Sequence, residues 1–544
     1  MAKASKVIDL MFKKKIFYHA GIFGGFLLLL SAAYWPAISM RYVYHDSLVF
    51  FLDTEVRFLP PATVFCFSIG RYLGAVFITI IGRLVSQVQD LEILRFLSIV
   101  QLSLCGLLLT NFLRKNFLKP LESFLIVVLL LTLPPFQITV CQGGMAFYPM
   151  SILVSLLSFI LCFNAPEKKN ILTYCSFPIL SAVLLMVASL SIFQPGAMFF
   201  WALAAIFILC SRQEGFSRFW IKISKIFFVG FLGMVAYRVL LELVKKFFFH
   251  NVLGQDNSPY VVTNNLFAKV MWYLADPTIK VLNFWNIIPR KEYAFCFVLF
   301  VAGAMLLAVI QKGRKGLLGY KTREGIFKLF ALLALFFLAS LPNLLFPSNV
   351  SFYRCYMALS AFCVFIFLWA LTTYTSFLLS TGRIIRILIL VILVCFGTFQ
   401  AYQTTFRYRA FPSAEELKFL QESLQTADLS QFSRVYFVQP DQKNLYTSDD
   451  EYGNLTTRFS NDIIGFFSCG IRSLMRDSYK IHYIDYDPFS GKTLYLFRKK
   501  EEWDPSSSYR VILSFGPEVK TQADFFEPTL IIDMNKVVDR IVQK

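Results

Sequence analysis

Internal repeats, low-complexity tracts and paired cysteines are all missing from this sequence. Its 11 cysteines are scattered, most of them inside apolar runs (Cys105, Cys162, Cys210, Cys363, Cys395), without a CxxC pair or regular spacing. That speaks against a zinc site of ordinary ligand spacing and against a disulfide framework. Acid is scarce as well: 34 Asp plus Glu stand against 53 Lys plus Arg, a formal charge of +19. In a soluble chain this excess would raise nucleic acid as a partner. Here much of it lies in short loops between apolar segments, the pattern that holds loops in the cytoplasm, so no nucleic-acid partner is expected. Apolar surface is abundant, with 57% of 544 residues hydrophobic and 61 of them Phe. A soluble protein of this length could not cover so much, and the class expected is a polytopic α-helical membrane protein.

Apolar runs of spanning length, roughly 17 to 25 residues, predict about eleven spans. They lie near 16–36, 93–113, 118–135, 147–164, 171–193, 195–211, 224–243, 293–311, 326–346, 355–377 and 384–402. The first follows a basic start, is too long for a signal-peptide core and reads as retained. With a cytoplasmic N-terminus, the cytoplasmic connections carry Lys13-Lys14-Lys15, Arg114-Lys115, Lys168-Lys169, Arg212, Arg218, Lys222, Lys312 through Arg323, Arg383 and Arg386. The opposite turns near 136–149 and 191–196 carry neither Lys nor Arg. Promoting Tyr72–Val88 to a twelfth span would invert every later loop, and Arg71 and Arg83 suit a helix lying along the membrane surface. The long 243–292 loop is the exception to the charge bias. The 37–92 loop, the outer turns and everything from 404 onward then share the extracytoplasmic side.

Residues 1–403 thus form a transmembrane domain, and 404–544 a small extracytoplasmic α/β domain. Strand-like pieces there begin at Arg434, Tyr479, Thr493, Tyr509 and Leu530, with helical candidates at Ser413–Gln425 and Asp462–Met475.

In the first outer loop, His45, Asp46, Asp53, Glu55, Arg57 and Arg71 gather where the chain has just left the bilayer. Such groups are costly there unless they face water, each other or a ligand. Sugar transfer to a hydroxyl needs a carboxylate base for the acceptor proton and cations for a departing phosphate. The plain alternative is a solvated charged loop. In the turn from Pro134 to Met150, Gly143 and Gly144 permit close backbone approach, and Gln142 and Tyr148 can bond sugar hydroxyls; a simple glycine turn is the alternative. Gln194 at a span's outer end precedes Pro195, which suits a first helical turn. Arg354 at a span start either snorkels or holds a lipid phosphate. Arg238 and Glu242 read as an i, i+4 ion pair beside Tyr237. Asp256, Trp272, Tyr273, Asp276 and Trp285 in the 243–292 loop read first as membrane-interface residues.

In this order the pieces resemble the type II glucosyltransferase family with which serotype-converting phages modify bacterial O-antigen, a branch of the glycosyltransferase C superfamily. Asp53-Thr54-Glu55-Val56-Arg57 is similar to the family's acid-to-arginine pattern, with His45-Asp46 a competing register, and Gly70-Arg71-Tyr72-Leu73 to its Gly-Arg-x-Leu motif. Pro135-Phe136 through Tyr148-Pro149-Met150, Phe193-Gln194 and Tyr353-Arg354 match later landmarks. The likeness covers residues 1–400 by order and topology; the middle loop lacks the expected acid, and Phe193 replaces a tyrosine. It implies a bacterial inner-membrane hexosyltransferase with membrane-parallel helices in the 37–92 loop and the C-terminal domain in the periplasm. The donor is a sugar, glucose in the type members, on undecaprenyl phosphate; the acceptor is a surface glycan such as O-antigen lipopolysaccharide or its lipid-linked precursor. Asp46 or Asp53 is the base, with Glu55 in reserve. Arg57, Arg71 and Arg354 hold the donor phosphate, and His45, Gln142, Tyr148 and Gln194 line the sugar and acceptor pocket. A divalent cation, Mg or Mn, is compatible with three carboxylates but not required. A flippase and a polyprenyl-phosphate sugar synthase are the implied protein partners. The rival readings are a transporter or flippase of lipid-linked sugars, and a non-catalytic subunit of envelope-glycan assembly.

Overall fold

The computed structural model describes residues 2–42, 63, 66–67, 69–85, 89–166, 176–211, 216–248, 265–288, 291–314, 323–345, 349, 352–376, 381–426, 434–438, 479–482, 496–499 and 529–533. The chain begins with α1 (Ala2–Ala33) and the short α2 (Trp35–Ser39), and resumes in α3 (Tyr72–Leu84). In α4 (Asp90–Asn116), Asp90 and Glu92 occupy the first turn and Arg114 and Lys115 the last, the charge order a helix dipole favours. Prolines sit in the first turns of α5 (Pro120–Leu131), α6 (Pro134–Cys141), α7 (Tyr148–Asn164), α8 (Phe177–Ile192) and α9 (Gln194–Ala197), where a missing N–H costs least. Next come α10 (Phe199–Cys210), α11 (Phe216–Phe248), α12 (Leu266–Ala275), α13 (Pro277–Leu282) and α14 (Lys291–Arg314). The helical part closes with α15 (Arg323–Leu338), α16 (Leu341–Leu345), α17 (Met357–Thr375), α18 (Gly382–Thr405) and α19 (Phe411–Thr426), the last two joined by a π-helical turn at Phe406–Ala410.

Among the described residues six helical segments are long and apolar enough to cross a bilayer, in α1, α4, α7, α11, α17 and α18, and the bent pair α5–α6 makes a seventh. The chain is a multi-pass helical membrane protein. Other expected spans are short helices: α8 and α15 have 16 residues each and α10 has 12. At 1.5 Å per residue, 16 residues cover about 24 Å, less than the roughly 30 Å hydrocarbon core. The 13 residues of α3 fall shorter still. The span read at 118–135 stops at Leu131, turns through 63° and restarts as α6. Pro134 and Pro135 lack the N–H groups that would carry α5 onward, so the stretch read as the start of a turn is itself helical.

Hydrogen bonds and close contacts between helices give the bundle its register. On α7, Ser151, Ser155 and Ser158 lie on one face and donate to the carbonyls of Phe193 (2.8 Å), Ala197 (2.9 Å) and Ala182 (2.7 Å). Ser189 answers from α8 with a bond to Ser151 O at 2.7 Å. Such bonds in lipid contribute on the order of 0.6 kcal/mol each. On α5, buried Glu122 accepts from Arg386 Nη2 of α18 at 2.7 Å, with Arg383 at 3.9 Å. Trp285, expected at the membrane interface, is instead buried. Its Nε1 donates to Thr132 Oγ1 at the α5–α6 bend (3.3 Å), and its ring packs on Gly397 of α18. The flanking residues Phe284 (φ 45°) and Asn286 (φ 55°) take the left-handed conformation, which the Asn283 side chain supports through Asn286 Oδ1 and Ile288.

After α19 the described residues are four strands, β1 (Arg434–Val438), β2 (Tyr479–His482), β3 (Leu496–Lys499) and β4 (Thr529–Asp533), in one sheet of order β2-β3-β1-β4. β1 pairs parallel to β4 and antiparallel to β3, and β2 pairs antiparallel to β3.

Gly230 of α11 abuts fully buried Trp201, and a Cβ there would lie 2.2 Å from Cη2 of the indole. Overpacking of this kind costs about 1–3 kcal/mol. Gly230→Ala should therefore lower the melting temperature of the detergent-solubilised protein. Gly303→Ala, where a Cβ meets nothing within 4 Å, should leave it unchanged or raise it. Equal effects of the two changes would refute the packing account.

Candidate functional site

Gly70 (φ 76°) is in the left-handed region that glycine enters without a Cβ penalty. Its N–H bonds to Phe67 O (3.0 Å), the Arg71 N–H bonds to Cys66 O (2.7 Å), and Arg71 O accepts from Ala75 N (2.7 Å) as α3 begins. This tight entry turns the carbonyls of Ile69 and Gly70 toward other helices. Ile69 O accepts from Gln194 Nε2 at 2.9 Å, and Gly70 O accepts from Tyr237 Oη at 3.0 Å. Gln194 Nε2 also donates to Tyr237 Oη at 2.7 Å. The rest of the Gly-Arg-x-Leu stretch locks the helix in place: Tyr72 Oη donates to Leu241 O at 3.1 Å, and Leu73 lies exposed on the apolar outer face of α3. Gly74 lets α3 cross the end of α8, since a Cβ there would lie 2.7 Å from Ile192 O. Burial, together with Tyr237 and Glu242, pushes the Tyr72 phenol above its usual pKa, so it stays a neutral donor.

Half-buried Arg71 is held on three sides. Nε donates to Gln194 Oε1 at 3.1 Å and Nη1 to Tyr148 Oη at 2.8 Å. Its guanidinium carbon lies 4.7 Å from the Phe193 ring centroid and 5.5 Å from that of Tyr148. Those two rings stack on each other at 3.7 Å with an interplanar angle of 8°. Phe193 is fixed in turn by Ser151 through its carbonyl, and Gly196 is the residue that fits against Ser151, where a Cβ would approach Oγ to 2.8 Å.

Arg354, in the 3-10 turn Tyr353–Cys355 that packs against α6, joins this neighbourhood from the far end of the sequence. Its Nη1 is 3.8 Å from Met145 Sδ, and its guanidinium carbon is 4.8 Å from the Phe352 centroid. Burial pushes the Cys355 thiol above its usual range, while Arg354 and Arg71 both pull it down, so the two cations flank one residue. On Arg71 itself burial opposes the charge and Arg354 adds repulsion, but Tyr148, Cys66 and Cys355 outweigh both, and its pKa lies above the ordinary arginine value. Two half-buried guanidiniums that act on each other and on the same cysteine form a place for an anion with several acceptor oxygens.

Of the residues picked from the sequence, Arg71, Tyr148, Gln194 and Arg354 are thus brought together. Gln142 is not part of this cluster's hydrogen bonding. It is fully buried, and among the described residues neither its amide nitrogen nor its amide oxygen has a hydrogen-bond partner. His45, Asp46, Asp53, Glu55 and Arg57 lie outside the described residues. Their segment is bounded on one side by the site itself, at Cys66 and Arg71. On the other it is bounded by Tyr42, which a second arginine holds. Fully buried Arg95 stacks 3.6 Å over the Tyr42 ring centroid and donates to the carbonyls of Ala37 (3.2 Å) and Tyr42. Tyr42 Oη donates to Cys141 O at 3.0 Å, and burial raises its pKa. Arg409, fully buried in the π-helical turn, acts electrostatically on both Tyr42 and Cys141. Among the described residues no three His, Cys, Asp or Glu side chains are grouped to hold a metal ion.

Sequence reasoning missed Tyr237, Arg95 and Arg409. Arg95 had left a signal, an arginine among the apolar residues of a span. Tyr237 had none beyond its place next to Arg238, which does pair with Glu242, at 2.7 Å on the exposed face. Compared with known proteins, the chain matches no family model and no curated protein.

Arg71→Lys removes a fork that a lysine ammonium cannot reproduce. With hydrogen bonds to charged groups contributing roughly 1.5–3 kcal/mol, it should lower the melting temperature by several degrees. Tyr148→Phe, which keeps the Gln194 bond and the stacked ring, should lower it less. A Tyr148→Phe protein less stable than Arg71→Lys would show that the ring's neighbours, and not the guanidinium, organise the cluster.

Proposed function

We propose that the protein is a membrane glycosyltransferase of the glycosyltransferase C type, passing a hexose from a polyprenyl-phosphate carrier to a surface glycan outside the cytoplasm. The observation that carries this reading is the approach of Arg354 to Arg71, which Tyr148 and Gln194 hold, where the chain leaves the acidic 43–62 segment at Cys66. In this reading about eleven passes, counting short helices between longer ones, put that site on the periplasmic side of a bacterial inner membrane. The C-terminal sheet belongs to an α/β domain in the same compartment. A carboxylate, Asp46 or Asp53 with Glu55 in reserve, removes the proton from an acceptor hydroxyl. The freed oxygen bonds to the anomeric carbon, the bond from that carbon to the phosphate oxygen breaks, and Arg57, Arg71 and Arg354 take up the charge on the leaving lipid phosphate. Tyr148 and Gln194 hold Arg71 in place for this and border the sugar.

One feature favours the rival transporter reading: the α5–α6 pair is a helix broken in an apolar segment, as in carriers of inverted repeats. The two readings part at the product. Glycosyl transfer leaves a modified surface glycan, whereas a flippase only moves the lipid-linked sugar between leaflets.

Structural analysis of the surface glycan with and without the protein should show an added sugar. Asp46→Ala or Asp53→Ala should abolish the addition while the protein remains in the membrane. Arg354→Ala should slow it by roughly 100-fold, the usual loss when one charge-stabilising donor is removed. Full transfer by both aspartate variants and their double would sink the assignment of the base.

A further inference from the structure

We infer that Tyr237 is a positioning residue for Arg71, acting through Gln194 and through the backbone at Gly70. The network leaves one arrangement of protons. Ile69 O and Gly70 O only accept, so Gln194 must present its nitrogen to Ile69, and Tyr237 must spend its single proton on Gly70. The Tyr237 oxygen is then left to accept the second Gln194 N–H, at 2.7 Å. With both N–H groups committed, the Gln194 oxygen faces Arg71 Nε, at 3.1 Å. A flipped amide would set a donor against a donor.

The same hydroxyl therefore secures Arg71 by two routes. It pins the carbonyl of the left-handed residue that starts the Arg71 turn, and it fixes the amide that receives the Arg71 side chain. Tyr237 is buried, and its hydroxyl joins two separate parts of the chain, the Gly70 carbonyl and the Gln194 amide. Removing the oxygen leaves Gly70 O and one Gln194 N–H unpaired in the protein interior, and Gln194 loses its reason to keep one face toward Arg71. The arrangement also explains why a polar ring stands on α11 one residue before an exposed ion pair that makes no contact with Arg71. The functional meaning of this positioning rests on the reading of Arg71 as a phosphate-holding cation; the positioning itself does not.

The test uses the full-length protein in detergent, with phenylglyoxal labelling of arginines followed by peptide mass spectrometry. Tyr237→Phe should raise the labelling rate of Arg71 about fivefold, the equivalent of one hydrogen bond's net contribution, and leave that of exposed Arg238 unchanged. Gln194→Met, which keeps the side chain's length but has no amide, should raise Arg71 labelling in the same way and serves if Tyr237→Phe does not fold. Unchanged Arg71 labelling in the folded variants overturns the inference. So does an equal rise at Arg71 and Arg238, which would mean general loosening. In a parallel arm, farnesyl phosphate should protect Arg71 of the unaltered protein from the reagent. Failure of that protection would count against the phosphate reading and leave the comparison of variants standing.

Discussion

A guanidinium at the edge of a bilayer keeps its charge at any accessible pH, so the protein around it must supply acceptors, aromatic faces or a counter-charge. Arg71 has three neighbours of this kind: an amide oxygen, a phenol oxygen and a phenyl face, contributed by α9, α7 and the residue between α8 and α9. None of these neighbours is negatively charged. They hold the cation without neutralising it, whereas Arg386 spends its charge on Glu122. The rest of this neighbourhood can be understood from this requirement: the left-handed Gly70, the close-packed Gly74 and Gly196, and the serine that anchors Phe193.

The second constraint is length. A bilayer core of about 30 Å admits helices of about 20 residues, yet the chain mixes such helices with shorter ones. The short helices occur where polar work is done. α6 ends at the Gln142-Gly143-Gly144 turn, α8 and α9 meet at Phe193-Gln194, and α3 starts at Arg71. Breaking a helix exposes carbonyls and N–H groups that must be satisfied inside the protein, and those freed groups are what the site is built on. Ile69, Gly70 and Phe193 all contribute carbonyls in this way.

Just past α2 a different arrangement holds. Arg95 donates to backbone carbonyls and stacks on the Tyr42 ring, with Arg409 acting on the same ring, so the chain enters the acidic segment from a fixed point. It leaves that segment at Cys66, whose carbonyl binds the Arg71 N–H. The segment that carries the proposed base thus lies in sequence between Tyr42 and Cys66, each bonded to an arginine.

By itself the sequence determined the class, because 57% hydrophobic residues in long runs admit no other solution than a helical membrane protein. It also singled out Arg71, Tyr148, Gln194 and Arg354, since an ionisable or amide side chain at the end of an apolar run stands out against its surroundings. Only the tertiary structure decided that these four meet, that the Gln142 side chain is buried without joining their hydrogen bonds, and that Trp285 leaves the interface for the core. It alone revealed Tyr237 as a residue that holds Gln194, and Arg95 and Arg409 as the buried cations around Tyr42. The reason is that hydropathy is a property of a segment and can be summed along the chain. Which hydroxyl finishes a hydrogen-bond network depends on the angles at which separate helices cross and on the glycines that let them approach, and no local pattern encodes either.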